Sequence, residues 1–501
     1  MAPKNLLDLP PEILTAICRL FSLHIETSPP HELNISDFFD QQDNYVAKAD
    51  SMRDLRILSL TCRTLRRHAE PVLFRDIQLV SSYNNLIDAM RHGHELDTAV
   101  RHFTSDEVMT HSRHGIAPSP LRLPGHSHIQ DAATGRLCQC VQPVLALTRN
   151  LTSLTLGMTD VVKFCKAAGW SDRDTSVGDF VPLLDRVQKL ALWQTRSLDD
   201  TLAAHPDIYQ ILRHTPKLQS LVARHADFNE LFWAPLGSEQ PELVTPALGS
   251  LRVVFLQECN ISNTPEEVRK FTFWMSLLSG LEALSVKGSP RLEIEASHPR
   301  LTPAAVVDAA YSARETLKWL EIDTTWNKRF PDADFREYFP TTLSRLGALE
   351  ALLIHCRSTD WEGKEEPEDV AARLAYMVPR TVKYLCIYTN YRSSTDRMFI
   401  EKLVERIEAS SQPFALQLVC MSFSLCKCMG HVLFGSDADE ETVEDCFDSN
   451  QPFADEVAEL LEKVGVEICM TGSHWLGDRW EFDGVGKVSF QKQPPVELDF
   501  V

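Results

Sequence analysis

Four residues of metal-ligand type fall close together: Cys420, Cys426, Cys428 and His431, in VCMSFSLCKCMGH. Thiolates and imidazole are the ligands of structural zinc, but such sites mostly separate paired cysteines by two to four residues. Cys-x-Cys is less usual, and cysteine is also a common small core residue in reduced proteins. The spacing favours packing, and no metal ligand or cofactor is assigned. A second cluster is histidine: His92, His94, His102, His111, His114, His126 and His128 supply seven of the 17 histidines. The nearby Pro118, Pro120 and Pro124 make that stretch read as a polar loop. Cys138 and Cys140 add no metal signal of their own. Gly-x-x-x-x-Gly-Lys, His-Glu-x-x-His and Gly-x-Ser-x-Gly are all missing, which weighs against the common enzyme classes.

The composition narrows the function further. The balance of 50 basic and 70 acidic side chains leaves a net charge of −20. Gripping a phosphate backbone requires clustered Lys and Arg, so nucleic acid is not an expected partner. An anionic membrane surface is disfavoured for the same reason. Thirteen cysteines in 501 residues are too sparse for a disulfide scaffold. MAPKNLLDLPPEILTAICRL has no uninterrupted apolar core of the signal-peptide kind, and no stretch approaches the length of a membrane span. The expected setting is cytoplasm or nucleus, where the sequons at Asn34, Asn150 and Asn260 are accidental.

The elements that must position any site begin with LLDLPPEILTAICRLFSLHIE (6–26). Asp8 suits an N-cap and the double proline suits a first turn. Ile13, Leu14, Ile17, Leu20 and Phe21 form one apolar stripe of a short helix. Residues 27–50 lose the pattern and read as an inserted loop. Ser51-x-x-Asp54 announces a second helix carrying Leu55, Leu58, Cys62, Leu65 and Ala69, which Pro71 is expected to limit.

Together, Leu9-Pro10-x-Glu12-Ile13-Leu14, Ile17, Leu55, Leu58, Cys62-Arg63, Leu65 and Ala69-x-Pro71-x-Leu73-Phe74 resemble an F-box of the kind common in fungal proteins. The resemblance is carried by 6–17 and 54–79, and the long loop between them departs from it. It implies docking on a Skp-family adaptor, which joins F-boxes to a cullin–RING ubiquitin ligase. The positions matching its apolar contacts are Leu9, Pro10, Ile13, Leu14, Ile17, Leu58 and Leu65. Two apolar helix faces on so small a module cannot both be buried within it, which agrees with a partner site.

Behind this module, L-x-x-L-x-L recurs with apolar swaps at 151–156, 187–192, 218–223, 251–256, 281–286, 317–322, 349–354 and 382–387. The starts are nearly evenly spaced, at a mean interval of about 33 residues, and that narrow spread marks a repeat. Helical patterns follow the strands at 264–280, 302–315 and 366–378. The array resembles irregular leucine-rich repeats. The expected fold is α/β: a helical F-box, then a leucine-rich-repeat solenoid with a parallel sheet on the concave face and helices on the convex face. The expected divisions are 1–80 for the adaptor-docking module, 81–150 for degenerate first repeats and a flexible His/Pro loop, 151–425 for the array, and 426–501 for an acidic linker and closing segment. Within the last, positions 437–448 carry seven acidic residues. Degenerate first strands are expected at Phe74-x-x-Ile77-x-Leu79 and Val100-x-x-Phe103, and closing strands at 413–420 and 464–470.

Strand alternation turns the fourth and sixth positions inward and the third, fifth and seventh toward the concave side. The outward set includes Phe255, Glu321, Leu353 and Gln257. The candidate target-binding residues are Trp193, Arg224, Lys287, Trp319, Asp323, His355, Tyr384 and Tyr388, since aromatic and Arg side chains dominate protein interfaces. The expected function is non-catalytic: the substrate-recognition subunit of a Skp–cullin–F-box ligase, holding an adaptor at one end and a target protein on the repeats. The alternatives are a non-degradative adaptor-binding scaffold and, less favoured, a zinc or enzymatic repeat protein.

Overall fold

Each of the eight L-x-x-L-x-L windows becomes a β-strand that begins at its third residue. The computed structural model describes residues 9–20, 32–34, 55, 57–73, 76–78, 100–104, 150–157, 184–193, 208–224, 245–257, 259, 261, 264–287, 301–323, 343–356, 367–389, 394–423, 451–472, 478–483 and 487–492. They belong to two compact units, Met1–Leu251 and Arg252–Val501.

The first unit contains α1 (Pro11–Leu20), β1 (Glu32–Asn34), α2 (Arg63–Leu73), β2 (Asp76–Gln78), β3 (His102–Thr104), β4 (Ser153–Gly157), β5 (Lys189–Trp193), α3 (Ile208–His214), β6 (Ser220–Arg224) and α4 (Thr245–Ser250). Strands β2 to β6 pair parallel in chain order, through Asp76↔His102, His102↔Ser153, Ser153↔Lys189 and Lys189↔Ser220. Both degenerate first strands are therefore present.

The second unit contains β7 (Val253–Gln257), α5 (Pro265–Ser276), β8 (Ala283–Lys287), α6 (Pro303–Ala310), β9 (Trp319–Asp323), β10 (Ala351–Cys356), α7 (Pro367–Met377), β11 (Tyr384–Thr389), α8 (Ser394–Glu408), β12 (Leu418–Phe423), α9 (Gln451–Glu462) and β13 (Glu467–Gly472). Strands β7 to β13 are again parallel and consecutive. One register line runs Val253↔Ala283↔Trp319↔Ala351↔Tyr384↔Leu418↔Glu467. An antiparallel pair, β14 (Asp478–Asp483) and β15 (Lys487–Lys492), follows, and the repeat pattern gave no sign of it.

The periodicity is explained by burial. The first, fourth and sixth positions are all shielded from water, as in Leu281, Leu284 and Val286 or Leu317, Leu320 and Ile322. Each such side chain contributes roughly 1.5–3 kcal/mol on full burial. A backbone device repeats with them. From repeat to repeat, the N–H groups of the second and third positions both donate to the second-position carbonyl of the repeat before. Glu282 and Ala283 donate to Arg252, Lys318 and Trp319 to Glu282, and Glu350 and Ala351 to Lys318. This satisfies the strand starts without a turn of their own.

Two helices start from the same local chemistry. Thr264 caps α5 by accepting from the Glu267 N–H at 3.3 Å, and Thr302 caps α6 by accepting from the Ala305 N–H at 3.2 Å. Pro265 and Pro303 follow at the first helical position, where a missing N–H costs nothing. At the other end of α7, Arg406 of α8 donates to the carbonyls of Ala375 and, at 2.8 Å, Val378. Its guanidinium lies over the rings of Tyr376 at 5.4 Å and Phe414 at 5.0 Å. A cation among helix-end carbonyls answers the orphan acceptors and the negative end of the helix dipole.

The N-terminal helices differ from expectation in one respect. The second helix is not continuous. A helical stretch at 57–61 breaks at Cys62, and α2 starts afresh at Arg63. The Cys62 thiol accepts from the Leu65 N–H at 3.5 Å and stands in for a cap. Pro71 does not end α2, which runs on to Leu73. A proline in the last turn forfeits one backbone bond instead of several.

Candidate protein-docking surfaces

The helical module has a small interior. Cys18, Leu55, Ala69 and Val72 form its core, with Leu58 and Leu73 packed against it. Thr15 Oγ1 and His68 Nδ1, 2.9 Å apart, tie α1 to α2. Two of the expected adaptor contacts, Leu14 and Leu65, are buried. Folding of the chain already takes both out of water. Leu9, Ile17 and Leu58 are half-buried and Pro10 is exposed. Ile13, at 46%, remains a large exposed apolar residue.

Two further apolar residues join it that the motif did not single out: Ile57 at 57% and Leu60 at 81%. Their signal was present in the sequence. They lie off the 3-4 spacing of Leu55, Leu58 and Cys62, so a helix that buries that stripe turns them outward.

The repeat face departs further from expectation. In β7 to β10 the third and fifth positions are buried as well as the fourth and sixth. Phe255, Trp319, Glu321 and Leu353 were expected to point toward solvent and do not. Trp319, expected as a target contact, belongs to the interior instead. The register explains how it fits. Ala283 and Ala351 flank Trp319 on the neighbouring strands. The Phe255 ring meets the indole edge to face, with centroids 5.4 Å apart and planes at 83°, a favoured aromatic arrangement. Parallel sheets covered on both faces are the common case.

This face carries buried polar groups as well. Ser285 Oγ donates to Glu321 Oε2 at 2.7 Å, both residues being shielded from water. The Gln257 amide nitrogen and the Trp319 indole N–H find no hydrogen-bond partner among the described residues.

Tyr384, further along the same row, is half-buried. Trp193, Arg224, Lys287, Asp323, His355 and Tyr388 all occupy strand ends. The register sets Trp193 beside Arg224 in the first unit, and His355 between Asp323 and Tyr388 in the second. Their side chains lie outside the described residues. So do Cys426, Cys428, His431, the acidic run 437–448, the His/Pro loop beyond 104 and the inserted loop apart from 32–34.

A charge pattern that sequence reasoning missed runs along the second positions of the second unit: Arg252, Glu282, Lys318, Glu350, Lys383. Arg252 pairs with Glu282 at 2.8 Å, Lys318 with Glu282 at 3.4 Å and Lys383 with Glu350 at 2.8 Å. The alternation was legible as soon as the repeats were aligned, since neighbouring second positions face one another across strands. Elsewhere, His214 ends α3 nearly buried, and burial, assisted by the Arg213 charge, pushes its imidazole down to about 4. No helix among the described residues is long and apolar enough to cross a membrane.

No protein-family model matches the chain, and no curated protein matches it. Six solved chains do. One is a leucine-rich repeat-containing protein, LegL7, from Legionella pneumophila, 14% identical and aligned over 66% of this chain and 87% of its own, with a TM-score of 0.34. The chain itself shows an α/β repeat architecture: parallel strands in chain order, eight of them built on an L-x-x-L-x-L core, with helices between strands.

Proposed function

We propose that the chain is a non-catalytic substrate-recognition subunit of a Skp–cullin–F-box ubiquitin ligase. The observation that supports this reading is the exposure of Ile13, Ile57 and Leu60 on a module whose other apolar positions largely feed its own small core. Exposed side chains of this size, together with Leu9 and Pro10, suit a helical partner surface of the adaptor kind. The strand ends are read as target contacts in each unit by itself: Trp193 and Arg224 in the first, and Lys287, Asp323, His355, Tyr384 and Tyr388 in the second. The mechanism is proximity: a target and a ubiquitin-charged enzyme are brought together through one chain.

The test is co-purification with a Skp-family adaptor. Wild type should retain adaptor and cullin, and Ile13→Asp with Leu60→Asp should lose both while the fold survives. Failure of the wild type to bind, or binding unchanged in the double variant, refutes the reading. Adaptor without cullin would replace it with the scaffold.

A further inference from the structure

The third residues of β11, β12 and β13 are all cysteine. The register pairs Cys386 with Cys420, and Cys420 with Cys469. Cys386 and Cys420 are buried, both carry thiols, and neither is in a disulfide. The next residue along the row is Leu353 on β10, itself buried. A thiol pair thus lies in an apolar setting on one face of a parallel sheet, with a third cysteine at the adjoining register position.

We propose that this row binds a soft, two-coordinate cation of the Cu(I) type between the sulfurs of Cys386 and Cys420. Spacing is the first argument. Adjacent strands are about 4.8 Å apart, so in-register side chains on one face keep about that separation. With the zinc–thiolate length of about 2.3 Å as the scale of a metal–sulfur bond, two sulfurs on opposite sides of one ion are about 4.6 Å apart. The strand spacing therefore accepts a sulfur–metal–sulfur bridge with little movement. A disulfide fits less well, because it needs Cβ atoms about 3.5–4.5 Å apart.

Geometry and softness select the ion. A tetrahedral ion needs four converging donors, whereas a row in register sets its thiols in a line. Among the described side chains, no group of three or more His, Cys, Asp and Glu comes together. Thiolates favour soft cations over magnesium, calcium or manganese. Binding replaces two S–H protons with one cation, so two protons are released and the complex carries one negative charge. Affinity accordingly falls as pH falls.

Cys420 is one of the two proposed ligands, so Cys420→Ser removes the bridge. The experiment titrates the full chain with Cu(I) without oxygen against a chromophoric Cu(I) chelator, with X-ray absorption of the loaded protein. The expected result is one equivalent held through two sulfurs in wild type and in Cys259→Ser. At least a tenfold loss of affinity is expected in Cys420→Ser, with Cys420→Ala as a second variant. Melting curves of the metal-free variants confirm that they fold. Unchanged Cu(I) affinity in both Cys420 variants overturns the proposal. So does a shell of four donors, or recovery of a Cys386–Cys420 disulfide by peptide mapping of the protein as isolated.

Discussion

Reversing one charge in the second-position ladder should loosen the second unit by an amount that salt can tune. Glu282 is the centre of the ladder because it pairs on both sides, 2.8 Å from Arg252 and 3.4 Å from Lys318. Its side chain is only 12% exposed, against 51% for Arg252 and 27% for Lys318. Exposed pairs contribute about 0.2–1 kcal/mol, and the shielding of Glu282 puts these two toward the upper end. Glu282→Gln loses both pairs and should then cost about 1–2 kcal/mol. Glu282→Lys also adds two repulsions of similar size and should cost roughly 2–4 kcal/mol. Urea unfolding, followed through the buried Trp274 and Trp319 of the same unit, measures the difference. Between about 0.1 M and about 1 M salt the screening length falls from about 10 Å to about 3 Å, so the gap between the two variants should narrow. Adding Arg252→Glu to Glu282→Lys restores one of the two pairs and should recover about half the loss. The reasoning fails if Glu282→Lys equals Glu282→Gln at low salt, or if the second change recovers nothing.

Other outcomes follow from single contacts. Trp319→Ala should destabilise the second unit by about 3–5 kcal/mol in unfolding experiments, because it empties the space beside Phe255; a near-neutral result would place the ring at the surface after all. Arg406→Met should cost about 2 kcal/mol by leaving the Ala375 and Val378 carbonyls without their cation, and Arg406→Lys should recover only part, since an ammonium cannot also stack on Tyr376 and Phe414. Leu14→Ala should lower the melting temperature of the N-terminal module, whereas Ile13→Asp should leave it nearly unchanged, which separates folding from docking. For His214 the folded imidazole titrates at about 4 against 6.5 for an ordinary one. The unfolded chain therefore binds more protons between those values, and stability must fall as pH drops through that window. His214→Gln should flatten that slope, by at most about 3 kcal/mol across the window.

Much of the repeat architecture was legible because one physical requirement recurs. A strand with Leu281, Leu284 and Val286 buries that face whatever follows it, so spacing alone located eight strands and suggested four more. Thr264-Pro265 and Thr302-Pro303 likewise fixed helix starts through local capping chemistry. What was not legible depended on neighbours distant in sequence. Alternation sends Trp319 and Glu321 to the second face, but only the packed structure decides whether that face is wet. Leu14 and Ile13 are adjacent apolar residues on one stripe, and the packing of α1 chose which is core. The break at Cys62 is also invisible to a 3-4 pattern, because the apolar spacing continues straight through it.

The amino-acid order by itself determined the strand periodicity, the helix caps and the apolar excess of the N-terminal helices, since each is set by residues within a few positions of one another. Only the tertiary structure decided which apolar residues stay exposed, which polar groups are sealed inside, and that Cys386, Cys420 and Cys469 share one register line. Those outcomes are fixed by strands a whole repeat or more apart in sequence, brought to about 4.8 Å in space, and no local rule carries that information.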